Sequence, residues 1–216
     1  MKTLSRRERE RQEHVRYILD VAGRMFAKRG FFKVTMKEIA ERAEFALGTV
    51  YSFFKGKQNL YQQVIEQKVD ELVEAVSNAM ACETSPVLII KGFIEAKLRF
   101  FFENLDFVRL YLVEMHGPPL HGERAMSLAL QNKYRAVLAS VSRAIERGMS
   151  DGTFAQASPK ALTTALDGQT SAIVFSWLRD ISPDSPEKEI QAAEHIFLNG
   201  ALARPESRAV SNGNQE

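Results

Sequence analysis

The sequence predicts an all-α fold of about nine helices, an N-terminal three-helix head followed by a larger C-terminal helical bundle. Three observations carry this. Apolar residues recur at three- and four-residue spacings almost throughout, the period of one helix face. Alternating β-type runs are absent apart from the brief PVLII at 86–90, which continues into a helical pattern. Ser-Pro pairs at Ser85-Pro86, Ser158-Pro159 and Ser185-Pro186 each open an amphipathic run. Serine is a good N-cap, and proline is best tolerated in the first helical position.

In chain order, Val15, Ile18, Leu19, Ala22, Met25 and Phe26 line one stripe of a first helix, with Lys28 and Arg29 at its negative end and Gly30 as its stop. Thr35 and Glu38 are spaced as a capping box opening a second helix over 35–42, whose buried face is Met36, Ile39, Ala40 and Ala43. A turn at 43–45 leads to a short third helix over 46–53, and a longer fourth runs from Leu60 to about Met80. After the first Ser-Pro helix, Asp106 can cap a shorter one that breaks at Gly117-Pro118-Pro119. A long helix follows from about Glu123 to Gly148, closed by GMSDGTF, and then the last two Ser-Pro helices. The division expected is a head over 1–57, a body over 58–203 and a disordered tail over 204–216.

Charge is distributed unevenly. Residues 1–57 hold 14 Lys/Arg against 7 Asp/Glu, whereas the remainder holds 15 against 20. A basic head on an acidic body suits a head that meets a polyanion. The single cysteine, Cys82, excludes an internal disulfide framework and suits a reducing cytoplasm. The N-terminus lacks the apolar region of a secretory signal, and no apolar run reaches the roughly 18 residues of a spanning helix. A soluble cytoplasmic protein is therefore expected.

Residues 35–53 have the shape of a helix-turn-helix, whose second helix lies in the major groove. On a helical wheel Ala46, Val50 and Phe54 face the core, while Gly48, Tyr51 and Ser52 lie opposite with Leu47 and Thr49 at the edges. A glycine inside an exposed helix costs on the order of 1 kcal/mol against alanine. Gly48 therefore either lets the backbone approach DNA or eases packing, and Tyr51 either faces phosphate or joins Phe53, Phe54 and Tyr61 as a core aromatic. Thr49 and Tyr51 offer hydroxyls, and Lys55 and Lys57 offer charge, for phosphate contacts that position without reading sequence. The basic start over 1–12 is either an arm along the DNA or a solvated helix extension.

The stretch ILDVAGRMFAKRGFFKVTMKEIAERAEFALGTVYSFFKGKQNLY, Ile18 to Tyr61, resembles the DNA-binding head of the TetR family of bacterial transcriptional regulators. The residues that carry the resemblance are Phe26, Gly30, Thr35, Ile39, Ala40, Ala43, Gly48, Thr49, Val50, Tyr51, Phe54, Lys57 and Leu60. It implies a homodimer whose two heads enter successive major grooves of a palindromic operator in double-stranded DNA. By position in the motif, the DNA-facing set is Thr35, Lys37, Leu47, Gly48, Thr49, Tyr51, Phe53 and Lys57, with Lys55 added by its charge. The chain departs from the pattern where Glu44 replaces the usual turn glycine and Ala46 a frequent serine. A left-handed Glu44 would cost about 1 kcal/mol, so a slightly altered turn is expected there.

The resemblance also implies that the body binds a small-molecule effector and dimerises through its last two helices, roughly 159–180 and 187–203. Small residues beside large ones make Ala165, Gly168, Ala172 and Trp177 on the first, and Ala192, Ala193, Ile196, Phe197 and Gly200 on the second, the expected interface. An apolar effector fits a lining of Phe93, Phe100, Phe101, Tyr111, Met115, Tyr134 and Phe175, with Lys97, Arg109, His116 and Gln169 as polar anchors. Each of these is also readable as ordinary core or surface. Glu114, His116 and His121 are the nearest approach to a metal cluster, and with no second set of ligands no metal or cofactor is expected. No phosphate-binding glycine loop or Ser/Cys nucleophile motif occurs. The reading is a ligand-responsive repressor. Two others stay open, an all-α enzyme using the body's pocket and a helical interaction module with a degenerate head.

Overall fold

The computed structural model describes residues 5–81, 83–116, 128–177 and 185–201. Among them nine helices form: α1 (Arg6–Arg29), α2 (Met36–Arg42), α3 (Leu47–Phe53), α4 (Lys57–Ala81), α5 (Pro86–Glu103), α6 (Leu105–His116), α7 (Leu128–Ser150), α8 (Pro159–Ser176) and α9 (Pro186–Ala201). Cys82, the Gly117-Pro118-Pro119 break, the expected start at Glu123 and the tail lie outside the described residues.

Of the two forms open to the basic start, residues 6–12 take the helical one. Ser5 caps α1, its hydroxyl accepting from the Glu8 N–H while the Glu8 carboxylate accepts from the Ser5 N–H at 2.8 Å. Gly30 ends α1 at φ 76°, its N–H donating to the Phe26 carbonyl. Ile18, Ala22 and Phe26 of α1 meet Val34, Ile39, Ala43, Val50, Phe54, Leu60 and Tyr61 in a continuous core. Each large apolar side chain buried there contributes roughly 1.5–3 kcal/mol.

The turn that aims α3 keeps the left-handed geometry. Glu44 sits at φ 60°, so the altered turn expected from its side chain does not form. The reason lies in its neighbours. The Phe45 N–H donates to the Ala40 carbonyl at 3.0 Å, closing a Schellman-type stop on α2. The Phe45 ring then lies edge-on to His14 at 5.1 Å and beside Tyr17 at 6.5 Å, both on α1. These contacts hold the turn against the strain of a side chain at positive φ. Replacing Glu44 by glycine is expected to stabilise the protein by about 1 kcal/mol or slightly less, since relief of that strain outweighs the added freedom of the unfolded chain. A higher urea midpoint at unchanged slope is the readout; a lower one shows that the carboxylate beside the positive end of α3 matters more than the strain.

The fourth helix starts at Lys57 rather than Leu60 and runs from the head into the body. There it packs along α5, the central helix, which also touches α6, α7, α8 and α9. Close approach of α4 and α5 requires Gly92, where a Cβ would stand 3.0 Å from the Ala79 carbonyl oxygen. Asp106 does not cap α6, which starts directly after Asn104. The Asn104 carbonyl accepts from Phe107 and Val108, and its amide donates back to the Phe100 carbonyl at 2.8 Å. Lys68 of α4 donates to the Asn104 side chain at 3.2 Å, tying α4 to the α5–α6 break.

Candidate functional site

α3 presents the face expected of a recognition helix. Val50 and Phe54 are buried, while Leu47, Gly48, Tyr51 and Ser52 face outward and Thr49 is half-buried. Ala46 is exposed rather than in the core, because it is the N-cap, before the helical wheel applies. A Cβ on Gly48 would meet nothing within 4 Å, so packing does not require this glycine. Tyr51 is 52% exposed and is no core aromatic. The Ser52 hydroxyl is turned back onto the Thr49 carbonyl at 2.7 Å.

The flanking charges are more constrained than their positions suggest. The Thr35 hydroxyl is engaged in the capping box, accepting from the Glu38 N–H and donating to its carboxylate. Arg29, together with Thr35, holds the Glu38 carboxyl down to about 2. Lys37 is exposed and stands 3.8 Å from Glu41. Lys55 is exposed as well. The Lys57 ammonium donates to the Phe31 carbonyl at 3.0 Å and lies 4.5 Å from that ring's centroid, fastening the α1–α2 loop to the start of α4. Half-buried Phe53 carries the Arg11 guanidinium 5.4 Å above its ring. Arg11 was not singled out from sequence, where it was one of several arginines in an acid-interleaved start. It lines a cleft of ≈ 570 Å³ with Arg9, Arg16, Phe53 and Gln63, beside α3.

In the body, part of the expected effector lining converges. Phe93, Lys97 and Tyr134 meet, with the Lys97 ammonium 5.6 Å from the Phe93 ring and 5.8 Å from the Tyr134 ring. Phe100 and Tyr111 flank Phe101 at 5.7 and 5.3 Å. Arg109 is exposed instead, and Gln169 reaches the other way, donating to the Ala193 carbonyl of α9 at 3.0 Å. Phe175 is half-buried against the core, and the side chains of Met115 and His116 lie outside the described residues.

Two residues that sequence reading passed over complete this centre. Asp167 of α8 accepts from the Lys97 ammonium and from the Tyr134 hydroxyl, each at 2.6 Å on the same carboxylate oxygen. Lys97 also donates to the Ser171 hydroxyl at 3.1 Å. Burial pushes the Lys97 ammonium down despite its partner, and burial beside Asp167 pushes the Tyr111 and Tyr134 hydroxyls up. Both tyrosines therefore stay protonated donors at neutral pH. A lone acid between apolar neighbours, Leu166-Asp167-Gly168, was the available signal.

The small-residue faces of α8 and α9 divide. Ala165, Gly168 and Ala172 on α8 and Ala192, Ile196 and Gly200 on α9 are exposed, with Ile196 at 64%. Trp177, Ala193 and Phe197 are instead buried within the chain's own core, Trp177 edge-on to Phe102 at 5.6 Å. Their exclusion from any outer face follows from helix angle: 193 and 197 share one side of α9, and 192, 196 and 200 another. Among the described residues no group of three His, Cys, Asp or Glu is placed to hold a metal. No described helix is long and apolar enough to cross a membrane.

Comparison with known proteins agrees with this geometry. Residues 18–64 match the family described as bacterial regulatory proteins, tetR family. The HTH-type transcriptional regulator AcrR of Shigella flexneri is 36% identical over 197 residues, spanning 88% of this chain and 89% of that protein. The HTH-type transcriptional repressor KstR2 of Rhodococcus jostii is 22% identical over 191 residues, covering 87% and 90%. A solved tetR-family regulatory protein from Rhodococcus RHA1 superposes with a TM-score of 0.72 at 17% identity, covering 89% and 98%. These proteins are transcriptional regulators, which removes the enzymatic reading. The likeness to AcrR runs through head and body alike, so the head is not a common motif attached to an unrelated bundle. The chain belongs to the TetR family, as a helix-turn-helix transcriptional regulator.

Proposed function

We propose that the protein is a cytoplasmic, homodimeric repressor that binds a palindromic operator and is released by a small, largely apolar effector. Residues 1–57 are the DNA-binding head and 58–203 the effector-binding and dimerisation body. The observation that carries the DNA half is the outward face of α3, where Gly48 faces open space between Leu47 and Tyr51. Leu47 and Phe53 reach base edges as apolar contacts, while Thr35, Lys37, Thr49, Tyr51, Lys55 and Lys57 meet phosphates. For Lys57 this means adding a phosphate to the bond it already makes with Phe31. The dimer joins through the exposed small-residue face of α8 and α9. The effector lies among Phe93, Phe100, Phe101, Tyr111 and Tyr134, and acts by favouring one spacing of the two heads.

Titrating the full protein against its own promoter region at several salt concentrations tests this. With 6–10 phosphate contacts, affinity is expected to fall roughly 10³-fold or more between 50 and 200 mM salt. Absence of tight, salt-sensitive binding to any palindrome there rejects the reading. Ile196→Glu places a charge at the centre of the exposed α8–α9 face and is expected to give a folded monomer by sedimentation, with operator affinity down more than about 100-fold. A dimer that survives Ile196→Glu places the interface elsewhere.

A further inference from the structure

Lys97, Asp167, Tyr134 and Ser171 form a polar centre inside an otherwise aromatic region, and nothing in DNA binding or dimer contact requires it. Buried ion pairs are poor stabilisers, since apolar residues of equal volume usually serve as well or better. A buried ammonium paired with a carboxylate at the solvent margin, with the Phe93 and Tyr134 rings beside it, makes this a candidate ligand site. We infer that the spot occupied by the Asp167 carboxylate is an anion site for the effector, whose head group is a carboxylate. This rests on the effector-responsive reading above and specifies its ligand class.

The two halves of the pair differ in freedom. The Lys97 side chain is only 2% exposed, on the central helix, and its donors are engaged by Asp167 Oδ1, the Ser171 hydroxyl and the Asp167 carbonyl. The Asp167 side chain is 29% exposed, at the margin next to Gly168, where a Cβ would meet open space. Asp167 can therefore rotate into water, whereas Lys97 has no exit. When Asp167 leaves, Lys97 and the Tyr134 hydroxyl remain as two donors converging on one vacated oxygen position. Only an anion restores the charge balance; a neutral head group leaves Lys97 unpaired, and a cation adds to the imbalance. The walls next to this position are Phe93 and Tyr134, with Phe101 and Tyr111 farther along, so the rest of the ligand is apolar.

The exchange also has a mechanical consequence. The Lys97–Asp167 pair ties α5 to α8. α8 carries part of the proposed dimer face, and α5 packs along α4, which runs into the head. A ligand carboxylate on Lys97 removes the ionic part of that tie and leaves α8 held to Lys97 only by the Ser171 hydroxyl and the Asp167 carbonyl.

The test uses the full-length chain, with hexanoate as probe and hexanamide and hexylamine as shape-matched controls at constant ionic strength. In Asp167→Ala, which vacates the site, hexanoate is expected to raise the melting temperature saturably. Its affinity should be at least about tenfold above wild type, where the internal carboxylate competes. Hexanamide and hexylamine should do nothing, and adding Lys97→Met should remove the hexanoate response. Should Asp167→Ala not fold, Asp167→Ser, which also vacates the carboxylate position, is read by the same criteria. No saturable response in the folded variant, an equal response to hexanamide, or a response that survives Lys97→Met overturns the inference. Operator titrations run alongside separate the two levels. Hexanoate binding in wild type without change in operator affinity leaves the anion site standing and rejects effector release. Operator release by a neutral or cationic compound acting in this centre upholds effector release and rejects the carboxylate site.

Discussion

Replacing Gly48 by leucine is expected to abolish operator binding while the protein unfolds no earlier than wild type. The two halves of this expectation have separate causes. In the free protein a Cβ at Gly48 meets nothing within 4 Å, so no neighbour must move. Glycine in an exposed helix is about 1 kcal/mol worse than alanine and nearly as much worse than leucine, so the free variant gains stability. In the docking proposed above, the same open space is where the helix backbone meets the groove. A leucine there holds α3 off by the thickness of its side chain and draws Tyr51 and Thr49 out of hydrogen-bond range together. Losing several positioning contacts at once is expected to weaken binding by more than about 100-fold. Urea melts and operator titrations on one preparation read both effects. A leucine variant that binds as wild type removes α3 from the groove, and one that unfolds early shows that Gly48 serves packing.

The head was legible because its signals are local. The Thr35–Glu38 capping box, the Gly30 stop and the Val50–Phe54 spacing each act within one or two turns, and each forms as spaced. The turn at Glu44 was misjudged because its stability comes from Phe45 on α1, a contact no local rule reports. Asn104 was missed for a similar reason: the more familiar cap, Asp106, stands close by, while Asn104 serves both α5 and α6. In the body, residues grouped by size rather than by helix angle merged the outer face of α9 with its inner one. Asp167 was passed over because a lone acid between apolar neighbours names no partner until α5 brings a buried lysine to it, across 70 positions of sequence.

That long-range pair gives the second large effect. Asp167→Asn is expected to cost about 3 kcal/mol, because it leaves a dry ammonium without a counter-ion while Tyr134 keeps an acceptor. Lys97→Met should cost about 1 kcal/mol or less, since the carboxylate it strands sits at the solvent margin and the methionine fills the same volume. With both changes the protein should return close to the Lys97→Met value, a coupling of about 3 kcal/mol in a double-mutant cycle of urea unfolding. The pH dependence separates charge from lost packing. Burial already holds the Lys97 ammonium below its ordinary value, and Asp167 supplies the interactions that pull it back up. Without that carboxylate the folded-state value falls further below that of the unfolded chain, near 10.4. Between the two values the unfolded state binds more protons, so the stability of Asp167→Asn should climb as pH rises through that window. Wild type should climb less, and the double variant should lack this rise. A packing or hydrogen-bond defect alone has no proton to lose, so a flat profile for Asp167→Asn would mean that Lys97 is not held as a buried cation.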